Sequence, residues 1–238
     1  MSNRFKDRAD AGRQLGALLA PLGGRNVIVL GLPRGGLAVA LEVARALHAP
    51  LDVLNVRKLG VPWREELAMG AVATGGVRVL NPELIMALGI TKQDVDEATR
   101  FRMLELDRRE LLYRDGRPSP ELRGRIVVLV DDGIATGATV RAAISVIKAQ
   151  HPAKLVLATP VAQQSVVSEL EREVDQLVCV STPGDLYAIG YWYDRFPQLT
   201  DGDVRRMLAQ AASEPVGAPA DARPAEPHDP APTVGRKP

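Results

Sequence analysis

The chain has 238 residues, of which 46% are hydrophobic and 25% are charged, enough for one domain with a sizeable core. Thirty basic against 29 acidic residues give a net charge of +1, which offers no electrostatic argument for binding nucleic acid or a membrane surface. No apolar run reaches the roughly 18 residues that span a bilayer, and the polar N-terminus lacks a signal-peptide pattern. A cytoplasmic location without membrane contact is therefore expected.

Helical and strand patterns alternate along the first part of the chain. Apolar spacing predicts a covering helix over residues 5–20, and an aliphatic run predicts a strand over 26–30. A glycine-rich turn at 31–36 leads into a helical pattern over 37–47. Residues 51–56 then predict the next parallel strand, which completes a unit of strand, helix and strand.

The middle of the chain predicts a hairpin followed by two helices. Two apolar runs, 67–73 and 77–80, flank a Thr-Gly-Gly turn, and this hairpin is a candidate for a mobile hood. Asn81-Pro82 begins a short helix, and residues 91–114 predict a longer one. The apolar stripe of the longer helix comprises Val95, Ala98, Phe101, Met103, Leu104, Leu106, Leu111 and Leu112.

The most informative stretch lies between Ile126 and Thr139. Residues 126–130 form an unbroken aliphatic run, as in a strand buried on both faces of a parallel sheet. Asp131 and Asp132 follow, at the sheet edge where open α/β folds bind ligands. A loop rich in glycine and threonine then leads into a helix, and its amide donors suit a phosphate monoester. Two acids beside an anion-binding loop could hold a sugar phosphate by both ends; the alternative is a turn that merely caps a helix.

Two groups of basic residues could meet the same ligand. Arg34 lies between glycines in the first glycine-rich turn, and such a compact cationic turn suits a pyrophosphate. Arg57 and Lys58 follow the strand predicted for 51–56 and are candidates for a second clamp. In both cases the alternative is a solvated side chain at a turn.

The alternation of strand and helix continues beyond the central stretch. Residues 155–160 and 177–180 predict strands, and 165–173 predict a helix between them. The single cysteine, Cys179, lies in the last strand, so a buried core thiol is expected rather than a nucleophile. Residues 212–238 hold seven prolines and no hydrophobic periodicity, which predicts a disordered tail.

The aliphatic strand, the acid pair and the Thr-Gly-x-Thr sequence, in this order, resemble the phosphoribosyl pyrophosphate (PRPP) loop of type I phosphoribosyltransferases. The resemblance implies an α/β fold, an open and mainly parallel sheet flanked by helices with a small hood, over residues 1–211. It implies transfer of ribose 5-phosphate from PRPP to a nitrogenous base, with release of pyrophosphate. It also implies Mg²⁺ as cofactor and a homodimer, since related enzymes often pair.

The resemblance gives each group of residues a role. Asp131 and Asp132 would be the catalytic pair that holds the ribose hydroxyls, and Asp132 would also orient Mg²⁺ through water. The 5-phosphate would be bound by Ala135, Thr136, Gly137, Ala138 and Thr139, and the pyrophosphate by Arg34, Gly35, Gly36 and Lys58.

Aromatic residues concentrate between Pro183 and Pro197, called here the aromatic segment. Its Gly190-Tyr-x-x-Asp194 is similar to the base-binding hood of hypoxanthine-guanine phosphoribosyltransferases. The similarity implies that Tyr187 stacks on the base and that Asp194 lies near the pyrophosphate and its metal. The alternative is an aromatic cluster that fills a small C-terminal core.

One departure from that pattern concerns the acceptor. The hypoxanthine-guanine enzymes have an aspartate acting at the purine N7 where this chain has Ala135. A rival interpretation is accordingly a PRPP- or nucleotide-sensing regulatory protein without transferase activity. A third is a phosphorolytic or hydrolytic enzyme that acts on a phosphorylated ribose.

Overall fold

The structure is a computed structural model that describes residues 4–114 and 117–214. Its strands are β1 (Val27–Gly31), β2 (Leu51–Val53), β3 (Val56–Val61), β4 (Arg64–Ala73), β5 (Arg78–Leu80), β6 (Ile126–Val130), β7 (Lys154–Val161) and β8 (Gln176–Ser181). Its α-helices are α1 (Arg8–Leu19), α2 (Gly35–Leu47), α3 (Pro82–Ala87), α4 (Lys92–Arg114), α5 (Ala138–Lys148), α6 (Gln164–Leu170) and α7 (Asp201–Ser213).

Five strands form a parallel sheet in the order β2-β1-β6-β7-β8. Its two faces are buried against different helices, because consecutive residues of a strand point to opposite sides. Val27 and Val29 of β1 pack with α1 and α2, whereas Ile28 and Leu30 of the same strand pack with α5 and α6. The predicted open parallel sheet flanked by helices is thereby confirmed.

The remaining strands form a small antiparallel sheet in the order β3-β4-β5, which packs against α5 and α4. The predicted hairpin is its β4-β5 pair, joined through Thr74–Gly76. The strand predicted over 51–56 was too long: β2 ends at Val53, and β3 begins at Val56 in the other sheet. The backbone changes sheets at Leu54 and Asn55, both buried, and a single asparagine within an apolar run is only a weak turn signal.

Helix α4 was predicted correctly, but its apolar stripe was not. Val95 and Leu106 are buried against the small sheet, whereas Phe101, Leu104 and Leu111 lie on the outer side and are exposed. A straight helix presents only one stripe to a neighbouring layer, so its remaining apolar residues are left in solvent.

Helix α7 has no counterpart among the predicted elements. Thr200 caps it in a capping box with Asp203, and its buried Val204 and Leu208 pack with Leu37 of α2. The helix runs through residues 212 and 213, the first two of the predicted tail, and residues 215–238 lie outside the described residues.

Within the described ranges, none of the helices combines the length and apolar character that crossing a membrane requires.

Candidate active site

The two glycine-rich loops predicted from the sequence meet at the carboxyl edge of the parallel sheet. Strands β1 and β6 are neighbours, and Gly31 pairs in register with Val130. The backbone N–H of Leu32 donates to the carbonyl oxygen of Val130 at 2.9 Å, which joins the two strand ends. The peptide bond between Pro33 and Arg34 is cis.

Contact between the loops is so close that only glycine fits. A Cβ on Gly35 would overlap the carboxylate of Asp132. A Cβ on Gly36 would lie 2.7 Å from the carbonyl oxygen of Val130 and 2.8 Å from the Cα of Asp131. Gly35 and Gly36, two of the four residues predicted to bind pyrophosphate, therefore lie directly against the acid pair.

Asp132 is held by a residue that the sequence analysis did not single out. Nε of Arg8 donates to Oδ2 of Asp132 at 2.7 Å, and the two side chains are only 10% and 13% exposed. The same guanidinium donates through Nη1 to the carbonyl oxygen of Pro197 at 2.8 Å and stacks 3.7 Å above the centre of the Phe196 ring. Arg8 thus joins α1, the acid pair and the aromatic segment.

The other acid, Asp131, lies in a different electrostatic environment. Burial raises its pKa well above the usual range, and the neighbouring charge of Asp132 raises it further. Its Oδ1 accepts a hydrogen bond from the backbone N–H of Asp132 at 2.9 Å. Asp131 therefore holds a proton more readily than an exposed aspartate does, and the adjacent pair of carboxyl groups can hydrogen-bond to a pair of hydroxyl groups.

The predicted 5-phosphate loop is an exposed helix N-terminus. Gly137 precedes α5 at φ +74°, while Thr136 and Thr139 are exposed on either side of it. The first amides of a helix lack acceptors within the helix, so they point with its dipole at whatever binds there. Arg141 donates through Nη1 to the carbonyl oxygen of Thr136 at 2.9 Å and through Nε to Glu173 at 3.0 Å, which fixes the loop from behind.

The predicted pyrophosphate residues divide between two places. Arg34 precedes α2 directly, half-exposed, with Nη1 3.7 Å from Oδ1 of Asp201. Lys58 does not end a parallel strand, since it lies within β3. There it lines a cleft of about 340 Å³ between the small sheet and α5, together with Ala138 of the 5-phosphate loop.

Tyr193 anchors the aromatic segment to the acid pair. Its hydroxyl donates to the carbonyl oxygen of Asp132 at 2.6 Å, and its ring packs between Phe5 and Phe196 with centroids 5.4 and 4.9 Å away. Burial raises the pKa of this phenol, and the charge of Asp132 acts in the same direction. Tyr193 therefore fills a small C-terminal core, the alternative that the sequence left open for this cluster.

The two residues predicted to contact the base and its metal lie farther out on that segment. Tyr187 is 91% exposed, and the carboxylate of Asp194 is exposed and 3.4 Å from Nε of Arg4. Ile189 packs on the acid loop, since a Cβ on Gly133 would lie 2.5 Å from its Cγ2. The roles of Tyr187 and Asp194 stay predictions.

Among the described residues, no group of three or more histidine, cysteine or acidic side chains could enclose a metal ion. Mg²⁺, however, is usually bound through one or two carboxylates together with waters and substrate phosphates. Asp131 and Asp132, adjacent at the ligand-binding edge of the sheet, fit that kind of site.

Comparisons with known proteins agree with this architecture. The sequence model of the phosphoribosyl transferase domain matches residues 15–185. Two proteins of Mycobacterium tuberculosis, strains CDC 1551 and H37Rv, whose names give phosphoribosyl transferase as a provisional assignment, are 48% identical over 207 residues. These residues cover 87% of this chain but 47% of each relative, so the chain spans about half the length of the curated relatives it matches.

A solved structure has the same fold. The crystal structure of TT1426 from Thermus thermophilus superposes with a TM-score of 0.79 at 45% identity, covering 87% of this chain and 98% of that one. The fold predicted from the PRPP-loop motif is confirmed over that range. With the domain match, these relatives show that the chain belongs to the phosphoribosyl transferase domain family.

Proposed function

We propose that this protein transfers ribose 5-phosphate from PRPP to a nitrogenous base and releases pyrophosphate. The observation that carries the proposal is the packing of Gly35 and Gly36 against Asp132 and Asp131. It puts two helix N-termini, those of α2 and α5, on either side of one acid pair. PRPP has an anionic group at each end of a ribose with two free hydroxyls, and this arrangement is complementary to all three parts.

Each part of the site then has a chemical task. The amides of residues 135–139 bind the 5-phosphate, and Asp131 and Asp132 bind the ribose hydroxyls. The amides of Gly35 and Gly36, with the guanidinium of Arg34, bind the pyrophosphate and stabilise the charge that develops on it as the glycosidic bond breaks. Mg²⁺, when bound, neutralises part of that charge and orients the leaving group.

Arg8 contributes to this site by positioning Asp132. By pairing with Oδ2 of Asp132 it holds one carboxylate oxygen away from solvent and leaves Oδ1 for the ligand. The contact of the same guanidinium with Pro197 and Phe196 fixes the aromatic segment relative to the acid pair. That segment is the proposed cover over the base, with Tyr187 as the stacking ring.

The test is pyrophosphate release from PRPP with Mg²⁺ across a panel of purine and pyrimidine bases, with Asp132→Asn as the blank. Release that requires one base and intact Asp132 is the expected result. PRPP binding in calorimetry without release on any base would instead establish the sensor function. Ribose 5-phosphate formed without a base would establish hydrolysis.

A further inference from the structure

The outer face of α4 carries large apolar side chains that nothing in the described chain covers. Phe101 and Leu104 are each 67% exposed, and Leu111 is 73% exposed. Spacings of three and seven residues put them on one stripe, called here the α4 stripe. Exposed apolar side chains gathered on one helix face, here with Arg108 between Leu104 and Leu111, indicate an interaction surface.

Charged residues flank the α4 stripe in a particular order. Glu97 lies toward the N-terminal end, Arg100 and Asp107 lie near the middle, and Arg108 lies toward the C-terminal end. All four are exposed, and none forms an ion pair with another residue in ranges 4–114 and 117–214. In contrast, Glu105 on the inner side of the same helix is paired with Arg57 at 2.7 Å.

We propose that α4 pairs antiparallel with α4 of a second copy of this chain, about a two-fold axis near residue 103. In that register Glu97 comes opposite Arg108 of the second copy, and Arg100 comes close to Asp107. Phe101 comes opposite Leu104, so the apolar residues meet where the charges also match. In a parallel pair each charged residue would face the same residue of the second copy, and the two like charges would repel. Charge complementarity therefore selects the antiparallel arrangement.

A cleft beside the α4 stripe fits the same arrangement. It has a volume of about 370 Å³ and lies between α4 and the β3-β4 turn. Apolar residues line it together with four charged ones, Glu65, Asp94, Glu97 and Arg102. Its α4 wall begins at Asp94. The proposed register brings Leu111 of the second copy opposite that wall, at the end of the cleft marked by Asp94.

Light scattering on the full chain tests the interface directly. The wild type is expected to have the mass of a dimer in the micromolar range, and Leu104→Asp the mass of a monomer, because a carboxylate would be buried at the axis. Leu18→Asp is the matched control, since Leu18 is also an exposed leucine on a helix, at 54%, and lies off the α4 stripe. A monomeric wild type, or a dimer that survives Leu104→Asp, would overturn the proposal.

A charge swap tests the antiparallel register. Glu97→Arg and Arg108→Glu should each raise the dimer dissociation constant about tenfold. Each substitution puts two like charges opposite each other, and two-fold symmetry makes that repulsive contact occur twice in the dimer. The double variant restores both pairs and should return to the wild-type value. Residues 97 and 108 are about 16 Å apart along one helix, so rescue cannot come from a contact within a chain. A double variant no tighter than the singles would overturn the register.

Discussion

Nε of Arg8 and Oδ2 of Asp132 are 2.7 Å apart in an ion pair that joins the first residue of α1 to the loop after β6. The pair is almost entirely buried, and buried ion pairs are stable only when their remaining donors are also satisfied. Here Nη1 is satisfied by Pro197, and the guanidinium plane lies on Phe196. Asp132 is therefore held in place from the N-terminal helix and the C-terminal aromatic segment together.

Replacing Arg8 by methionine should destabilise the fold. Asp132 would lose its cation in a site with little solvent, at a cost of about 3 kcal/mol in the free energy of unfolding. Urea denaturation at neutral pH measures this difference. Arg13→Met is the control, because Arg13 is an exposed arginine of the same helix and lies 3.8 Å from Asp10, so its loss should cost under about 0.5 kcal/mol. Equal effects of the two substitutions would contradict the importance of the buried pair.

Adding a single methyl group at Gly35 should abolish PRPP binding. The Cβ of Gly35→Ala would occupy the position of the Asp132 carboxylate and push it out of the site. Calorimetry with PRPP and Mg²⁺ measures the affinity, and circular dichroism shows whether the fold is kept. Gly184→Ala is the matched control, since a Cβ there meets nothing within 4 Å. PRPP affinity unchanged in Gly35→Ala would refute both the loop contact and the proposed ligand site.

How much of this site the sequence could predict depends on whether its parts are close along the chain. Asp131 and Asp132 directly follow β6, and Gly35 and Gly36 follow β1 after a short loop. Each motif can therefore be recognised from residues that are close together in the sequence. Parallel strands end at a common edge, which brings the two motifs together. Arg8 could not be found this way, because its partner lies 124 residues away and a lone arginine at a helix start carries no signal.

Other differences also have local physical causes. Helix α7 did have a signal, since Thr200 and Asp203 form a capping box that can be read from the sequence. The boundary between β2 and β3 had only a weak one, because a single asparagine, Asn55, separates two strands that belong to different sheets. Burial of α4 was misjudged because helical periodicity identifies apolar residues but not which of two faces meets the rest of the protein.

Tyr113 gives a prediction that depends on pH. Its hydroxyl donates to Oδ1 of Asp201 at 2.6 Å, and burial together with this hydrogen bond raises the pKa of the phenol to about 12. The folded state thus keeps the proton more tightly than the unfolded state, whose tyrosine titrates near pH 10. The stability that this provides is complete below about pH 10 and is lost as the pH rises toward about 12.

The corresponding experiment is urea denaturation of Tyr113→Phe at neutral pH and at about pH 11. At neutral pH the variant should be less stable by about 1 kcal/mol, the usual net value of one hydrogen bond. At the higher pH the difference should shrink, because the wild type alone loses the phenolic contribution. Tyr191→Phe, at a tyrosine that is mostly exposed, should show neither effect. A difference that stays constant with pH would contradict the assigned pKa.

Cys179 should be inert in the folded protein. It is partly buried in β8, its Sγ lies 3.1 Å from the carbonyl oxygen of Ser181, and burial raises the pKa of the thiol to about 11. At pH 8 only about one molecule in a thousand would carry the reactive thiolate. Ellman's reagent should therefore react slowly with the native protein, about tenfold faster at pH 9, and at once in concentrated urea. Rapid stoichiometric labelling of the native protein at pH 8 would show instead that the thiol is accessible and ionised, as a nucleophile would be.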